Sequence, residues 1–308
     1  MPRSATPTIS TEGQQVLGAY TQYVQEHQDL AAASRRNYLS DLCQFIAWYE
    51  AQWAAANEEP GAFDPQRVTT ATLTRYRDHL QSAQKLRPAS VNRTLTSLKR
   101  FFSWAVDQQR VRSNPAQVVK WVPEDANAPP QMTDQQEDDL VAAVLAGGNL
   151  RDRTLITLML HTGLRAGEVC ALRREQIVLQ KRSGTVQVRG KRNKTREVPL
   201  NATARAVLAE YLRTRPAEAT YLFTSERTGT ALTERALGHL IAKYAQQAHL
   251  TGVSPHTLRH RFGYRMAQTV PLHRLAQIMG HDSLDTTLLY IKGSASDLQQ
   301  EVEKIAWT

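Results

Sequence analysis

A chain of 308 residues, 41% of them hydrophobic, is long enough for two domains, and no run of about 18 apolar residues is present to span a bilayer. Lysine and arginine outnumber aspartate and glutamate by 38 to 29, a formal charge of +9 that favours a polyanionic partner. Two cysteines exclude a scaffold built on disulfides; Cys43 and Cys170 sit in apolar helical patterns and are expected as buried thiols. The opening "MPRSATPTISTEGQQ" has no apolar stretch of the kind a secretory signal needs, so a cytoplasmic protein is expected.

Residues from about 12 to 112 read as a helical domain. "QQVLGAYTQYVQEH" puts Val16, Leu17, Tyr20 and Val24 on one face, and "SRRNYLSDLCQFIAWYEAQW" does the same with Tyr38, Leu42, Phe45, Ile46 and Tyr49. Ser34 is the expected N-cap of the second helix, with Arg35 and Arg36 in its first turn, where the helix dipole does not favour cations. An outside anion explains those arginines better than helix stability does. "TLTRYRDHLQ" is a third helix. "RPASVNRTLTSLKRFFSWAVDQQ" is a fourth, with Pro88 at its start, apolar Val91, Leu95, Leu98 and Phe102, and basic Arg93, Lys99 and Arg100.

The four prolines of "NPAQVVKWVPEDANAPPQ" predict a linker over 113–132. A second domain, 133–308, opens on a capping box of Thr133 and Gln136 before "TDQQEDDLVAAVLAGG". "RDRTLITLMLHTG" predicts a helix ended by Gly163, and "AGEVCAL" a short one after it. The period then changes: "QIVLQ", "TVQVRG" and "REVPLN" read as three short strands, with the basic turn "KRNKT" joining the last two. From about Asn201 to the end the patterns are helical again. The basic excess is local. Lys85 to Lys120 holds eight Lys/Arg and one acid, and Lys181 to Arg196 holds seven and none. Clustered cations of this kind attract phosphate backbones.

Familiar catalytic patterns fail on inspection. "GTVQVRGKR" has five residues between Gly184 and Gly190 instead of the four of a phosphate-binding loop, and Arg192 where Ser or Thr is needed. His256 and His260 in "HTLRH" have zinc-ligand spacing but no third ligand nearby, so no metal site is expected. No G-x-S-x-G occurs, nor a carboxylate cluster suited to two magnesium ions. What remains is cationic: Arg165 in "HTGLRAGEVCALR", Lys191 in "GKRNKTREVPL", His256 and Arg259 in "SPHTLRHRFG", and His281 and Tyr290 in "GHDSLDTTLLY". Each alone is compatible with a cap, a solvated tip or a packed side chain. Their joint occurrence in this order is not.

"TGLRAGEVCAL", "GKRNKTREVPL", "HTLRHRF" and "MGHDSLDTTLLY" together resemble the tyrosine recombinases, also called the phage integrase family, over Thr133 to Thr308. "SRRNYLSDLCQF" and "SVNRTLTSLKRFFSWA" resemble that family's core-binding domain. The resemblance implies a mainly α fold with a small antiparallel sheet, arranged as a two-domain clamp on duplex DNA. It implies active-site roles for Arg165, Lys191, His256, Arg259, His281 and Tyr290. Arg261, Gly263, Tyr264 and Lys292 depart from the family's usual residues.

The chemistry agrees. Two guanidiniums suit the charge that builds on a phosphodiester under attack, without a metal. A free tyrosine has a pKa of about 10, so Tyr290 needs a base; His256 is the expected one, and His281 the donor of a further hydrogen bond. Lys191 is expected to protonate the leaving 5′-oxygen, with Lys194 its competitor. Glu168 and His260 read as structural partners. DNA contacts are expected from Arg35, Arg36, Arg93, Lys99, Arg100, Arg192 and Lys194. No cofactor is called for, because a 3′-phosphotyrosyl link conserves the bond energy. The resemblance also implies a homotetramer on two DNA sites, with a tail helix over about 295–306 docking on a neighbouring subunit. An accessory protein is compatible with the pattern. A type IB topoisomerase and a DNA-binding regulator without catalysis are the alternative readings.

Overall fold

A computed structural model describes residues 7–27, 30, 32–57, 61–123, 131–189, 195–216, 219–226, 228–281 and 283–290. Lys191, Arg192, Lys194 and the tail over 295–306 lie outside the described residues. The chain divides into two compact units, Met1–Ala126 and Asn127–Thr308. No helix among the described residues is long and apolar enough to cross a membrane.

The first unit is built from α1 (Thr11–His27), α2 (Ala32–Asn57), α3 (Thr70–Ser82) and α4 (Pro88–Asp107). Their apolar faces meet in an aromatic core. Tyr20, Phe45, Tyr76, Phe101 and Phe102 are fully buried, and Phe45 meets Tyr76 edge-on at a centroid distance of 5.0 Å. Such tilted contacts add to burial because ring edge and ring face carry opposite partial charge. Pro88 stands in the first turn of α4, where its missing N–H costs nothing.

Two expectations need correction here. Ser34 is not an N-cap, because α2 begins at Ala32; the alanines before Ser34 favour helix and carry it one turn further back. The expected linker of 113–132 is also too long. Ala116, Val119 and Val122 are buried in the first unit's core. Asn92 clips Val122 with two bonds of 2.9 Å, donating to its carbonyl and accepting from its N–H. Thr70 donates to the Pro115 carbonyl at 2.9 Å. Residues 113–123 are therefore a packed extension of the first unit. At the far end, Met132 belongs to the second unit's core.

The second unit begins with α5 (Asp134–Ala146), capped by the reciprocal bonds of Thr133 and Gln136. Next come α6 (Leu150–Thr162) and α7 (Ala166–Cys170). The strands β1 (Ile177–Leu179), β2 (Gly184–Arg189) and β3 (Thr195–Pro199) form one antiparallel sheet in the order β1-β2-β3, with Val186 opposite both Ile177 and Val198. After it come α8 (Ala202–Thr214), α9 (Glu234–Gln247), α10 (Pro255–Ala267), α11 (Leu272–Met279) and the single turn α12 (Asp285–Leu288). Leu155, Leu158, Met159, Val186, Val198, Leu208, Phe223, Ile241 and Leu258 fill one continuous core under these elements. Cys43 and Cys170 are buried free thiols.

Arg261 on α10 is almost fully buried and grips the start of the unit. It donates to the Met132 carbonyl at 2.9 Å, to Glu137 at 2.5 Å and to Asp134, while Arg265 adds a 2.8 Å bond to Glu137. This network fixes α10 against the N-terminus of α5. It explains why a long cation stands at a position where the family resemblance suggests a smaller residue.

Candidate active site

Two left-handed glycines shape the site. Gly163 ends α6 at φ 61° and Gly280 ends α11 at φ 67°, a backbone region closed to most side chains. Crowding adds to the requirement, since a Cβ on Gly280 would stand 2.8 Å from the Arg196 guanidinium. The carbonyl groups of Ile278, Met279 and Gly280 end α11 without helical partners. Each is taken by a different arginine. Arg196 donates to Ile278 at 3.0 Å, Arg259 to Met279 at 2.8 Å and Arg165 to Gly280 at 2.5 Å. Cations at the negative end of a helix are favourable, so the three guanidiniums hold the turn that leads to Tyr290. Arg259 also donates to the Gly163 carbonyl and thereby ties the two glycine turns together.

Among the described residues, Glu168 on α7 is the single carboxylate bonded into this cluster. It accepts from the Arg165 N–H at 2.8 Å, the Arg165 side chain at 3.1 Å, and Arg196 at 2.6 and 2.9 Å. Burial alone would raise its pKa; the Arg196 and Arg165 bonds outweigh it and hold the carboxyl below its ordinary value. Three guanidiniums around one carboxylate leave an excess of positive charge. Burial, with the nearby charge of Arg165, pushes the Arg259 guanidinium down to about 10. An anion bound here would relieve both costs. Arg165, Arg259 and His256 line a cleft of about 860 Å³, which also reaches Arg173, Arg189 and Glu234.

Tyr290 lies just past α12 with its side chain largely buried. The turn is held by its own N–H on the Thr287 carbonyl at 3.0 Å and by a 2.8 Å hydrogen bond between the Thr287 hydroxyl and His281 Nδ1. The His281 ring stacks on the Tyr290 ring at 6.2 Å and 17°. Gly263 on α10 leaves room for the ring: a Cβ there would come within 2.6 Å of it. Tyr264 meets it edge-on at 5.2 Å. The phenol oxygen is 3.0 Å from Nδ1 of His260. Burial raises the Tyr290 pKa above its ordinary value of 10.0, with Arg259 partly opposing.

The sequence places Arg165, His256, Arg259, His281 and Tyr290 in one site, and the structure brings these five together. Lys191 is outside the described residues. One contact differs from the expectation. The hydrogen bond at the Tyr290 hydroxyl is made by His260, the expected structural partner, and not by His256, the expected base. His256 is exposed at the cleft, its ring edge-on to His260 at 4.2 Å. Its pKa is lowered by burial and then by Arg259 and Arg165. Arg196 also belongs to the site, although in sequence a basic residue at the start of a strand looks like any solvated cation. Tyr290 follows α12, which is a single turn long.

In the first unit the expected DNA contacts divide. Arg35 and Arg36 border one shallow recess with Gln25 and Leu39. Lys99 and Arg100 border another, Lys99 lying 4.0 Å over the Trp121 ring and Arg100 5.3 Å over Tyr38. Arg93 is instead engaged by buried Asp41 at 2.5 Å.

Residues 130–296 match the model of the phage integrase family, and residues 17–110 that of the phage integrase N-terminal SAM-like domain. Tyrosine recombinase XerD of Ralstonia nicotianae is 32% identical over 266 residues, covering 82% of this chain and 81% of that protein. Tyrosine recombinase XerC of Xanthomonas axonopodis pv. citri is 29% identical over 279 residues, covering 87% and 88%. Among solved structures, the Tn1549 transposon integrase in complex with transposon right end DNA superposes with a TM-score of 0.75 at 17% identity, covering 95% of this chain and 99% of that one. The XerH site-specific recombinase in its post-cleavage complex gives 0.73 at 20% identity, covering 94% and 84%. These two likenesses carry the fold. With its catalytic half and its helical half both matched in chain order, the chain belongs to the phage integrase family of tyrosine recombinases.

Proposed function

We propose that the chain is a site-specific DNA recombinase that breaks and rejoins strands through a phosphodiester link to Tyr290. The observation that carries this reading is the seat of Tyr290. Its hydroxyl is hydrogen-bonded to an imidazole, in a site whose arginines outnumber its carboxylate.

Arg165 and Arg259 bind the non-bridging oxygens of the scissile phosphate, with charge-assisted bonds that strengthen as the pentacovalent state forms. Their positions are set beforehand by carbonyl groups, so little reorganisation is needed during reaction. The Tyr290 oxygen attacks phosphorus, the bond to the 5′-oxygen breaks, and Lys191 supplies that oxygen with a proton. The 3′-phosphotyrosyl product keeps the energy of the broken bond, so rejoining to another 5′-hydroxyl needs no ATP. His281 positions the Tyr290 turn through Thr287 and faces the same phosphate. Arg35, Arg36, Lys99, Arg100, Arg192 and Lys194 supply contacts to the duplex backbone.

The partner is double-stranded DNA carrying recombination sites. The synaptic assembly is a homotetramer in which the tail over about 295–306 of each subunit docks on a neighbour. Integration, excision and resolution all fit this chemistry. The test uses a duplex selected from a random pool for tight binding and nicked near its centre to trap the intermediate. Wild-type protein becomes covalently attached, and Tyr290→Phe does not. Attachment that persists in Tyr290→Phe would end this reading. Relaxation of plasmids lacking any selected site would favour a topoisomerase instead.

A further inference from the structure

The geometry points to His260 as the group that takes the proton from Tyr290 during strand cleavage and returns it during rejoining. The inference deepens the strand-cleavage reading and rests on it.

Two histidines, His260 and His281, touch Tyr290 and a third, His256, packs on His260; their contacts separate their roles. His281 Nδ1 is occupied by the Thr287 hydroxyl at 2.8 Å, and its ring lies nearly parallel to the Tyr290 ring. A stacked ring presents its face to the phenol and is poorly placed for in-plane proton transfer. His256 faces the cleft with Arg165 and Arg259, where a phosphate would sit. His260 alone, among the described residues, has a ring nitrogen at hydrogen-bond distance from the reacting oxygen, 3.0 Å. That is within the range a general base requires.

The same helix fixes both partners. His260, Gly263 and Tyr264 occupy successive positions on one face of α10. Gly263 gives the Tyr290 ring its floor, and Tyr264 meets it edge-on. The phenol oxygen is thereby held at the Nδ1 edge of His260. Burial, then the charges of His256 and Arg259, press the His260 pKa down to about 4. The imidazole is therefore neutral in a neutral cell, with a lone pair available on Nδ1 when the proton resides on Nε2.

The step balances. The Tyr290 O–H bond breaks as the O–P bond forms, and the proton moves to Nδ1. The P–O5′ bond breaks, and the 5′-oxygen takes a proton from Lys191. The imidazolium left behind is repelled by Arg259 and attracted by the charge growing on the non-bridging oxygens, so it is stabilised only while that charge exists. In rejoining, the 5′-hydroxyl loses its proton to Lys191 and His260 protonates the departing Tyr290 oxygen.

Leaving-group chemistry tests this. DNA ending in a 3′-phosphate esterified to phenol, or to 4-nitrophenol, is annealed beside an acceptor strand with a free 5′-hydroxyl. Tyr290→Ala leaves a ring-sized space for the ester, and joining releases the phenol. Nitrophenol is a far stronger acid than tyrosine and departs without a proton. Adding His260→Gln, which keeps a hydrogen-bonding side chain but cannot ionise, is expected to slow joining of the phenyl ester about 100-fold or more. Joining of the nitrophenyl ester should stay close to the rate of Tyr290→Ala alone. Equal loss on both esters, or loss on neither, overturns the proposal.

A second measurement needs no ester. With Tyr290 intact, His260→Gln should form the covalent complex on nicked DNA about 100-fold more slowly than wild type, at equal DNA affinity and melting temperature. Capture at the wild-type rate overturns the inference. Failure of the strand-cleavage reading looks different, because there the wild-type protein captures nothing.

Discussion

His260 and Tyr290 lie 30 residues apart, yet Nδ1 of one and the hydroxyl of the other are 3.0 Å apart. The contact joins the second turn of α10 to the turn after α12. Its precision depends on supporting contacts: the glycine under the tyrosine ring, the arginine bonds that hold the end of α11, and the ion pairs that anchor α10.

Gly263→Ala tests the floor. A Cβ would stand 2.6 to 2.8 Å from three atoms of the Tyr290 ring, so the ring must move. The end of a tyrosine side chain swings easily, and thermal stability should change little. A displacement approaching 1 Å at the nucleophile can cost about 100-fold in rate. Covalent capture is therefore expected to fall by about that factor with DNA binding retained. Capture at the wild-type rate would show that the seat tolerates a methyl group.

Arg261→Ala tests the anchor. It removes a buried guanidinium and leaves Glu137, itself nearly buried, with Arg265 as its remaining charged partner. Breaking a buried pair on one side typically costs about 3–5 kcal/mol, and Arg265 keeps this case near the lower end. Denaturant titration of the full chain should show a loss of about 3 kcal/mol. A loss below about 1 kcal/mol would reduce the network to the weight of a surface pair.

The buried histidines predict acid sensitivity with a definite sign. His260 and His281 are held down to about 4, against an ordinary value of 6.5; burial is the largest cause for both. Neighbouring cations add to it: His256 and Arg259 around His260, and Arg259, Arg165 and Arg196 around His281. Between these pH values the unfolded chain binds more protons than the folded one. Stability is therefore fully present above about 6.5 and is lost as the pH falls towards 4. The melting temperature should drop over that interval, and the drop should be smaller in His260→Gln. Identical pH profiles for the two proteins would contradict the assigned burial.

Much of this architecture is legible in the residues, for identifiable reasons. Apolar spacing gives α1 to α4 their buried faces, and Thr133, Gly163 and Ser254 mark helix ends by capping chemistry that depends on neighbours in sequence. The motifs around Arg165, Arg259 and Tyr290 are short and local, so they too survive in one dimension. What was hidden depends on approach between distant segments. His256 and His260 are one helical turn apart on the same face of α10, and nothing local says which of them meets Tyr290. That choice is made by the packing of the turn after α11. Arg196 is equally invisible, because its partners, Glu168 and the Ile278 carbonyl, are 28 and 82 residues away. The prolines of 113–123 read as a linker because their anchors, Asn92 and Thr70, are also far off in sequence.

Tyr290 is proposed to become joined to DNA through its phenol oxygen. Digestion of the wild-type covalent complex with protease and nuclease, followed by mass spectrometry of the surviving peptide–nucleotide adduct, reads this directly. One modified peptide is expected, with a nucleotide attached through its 3′-phosphate to Tyr290. An adduct on Tyr264, which packs against the same ring, or a nucleotide attached through its 5′-phosphate, would contradict it.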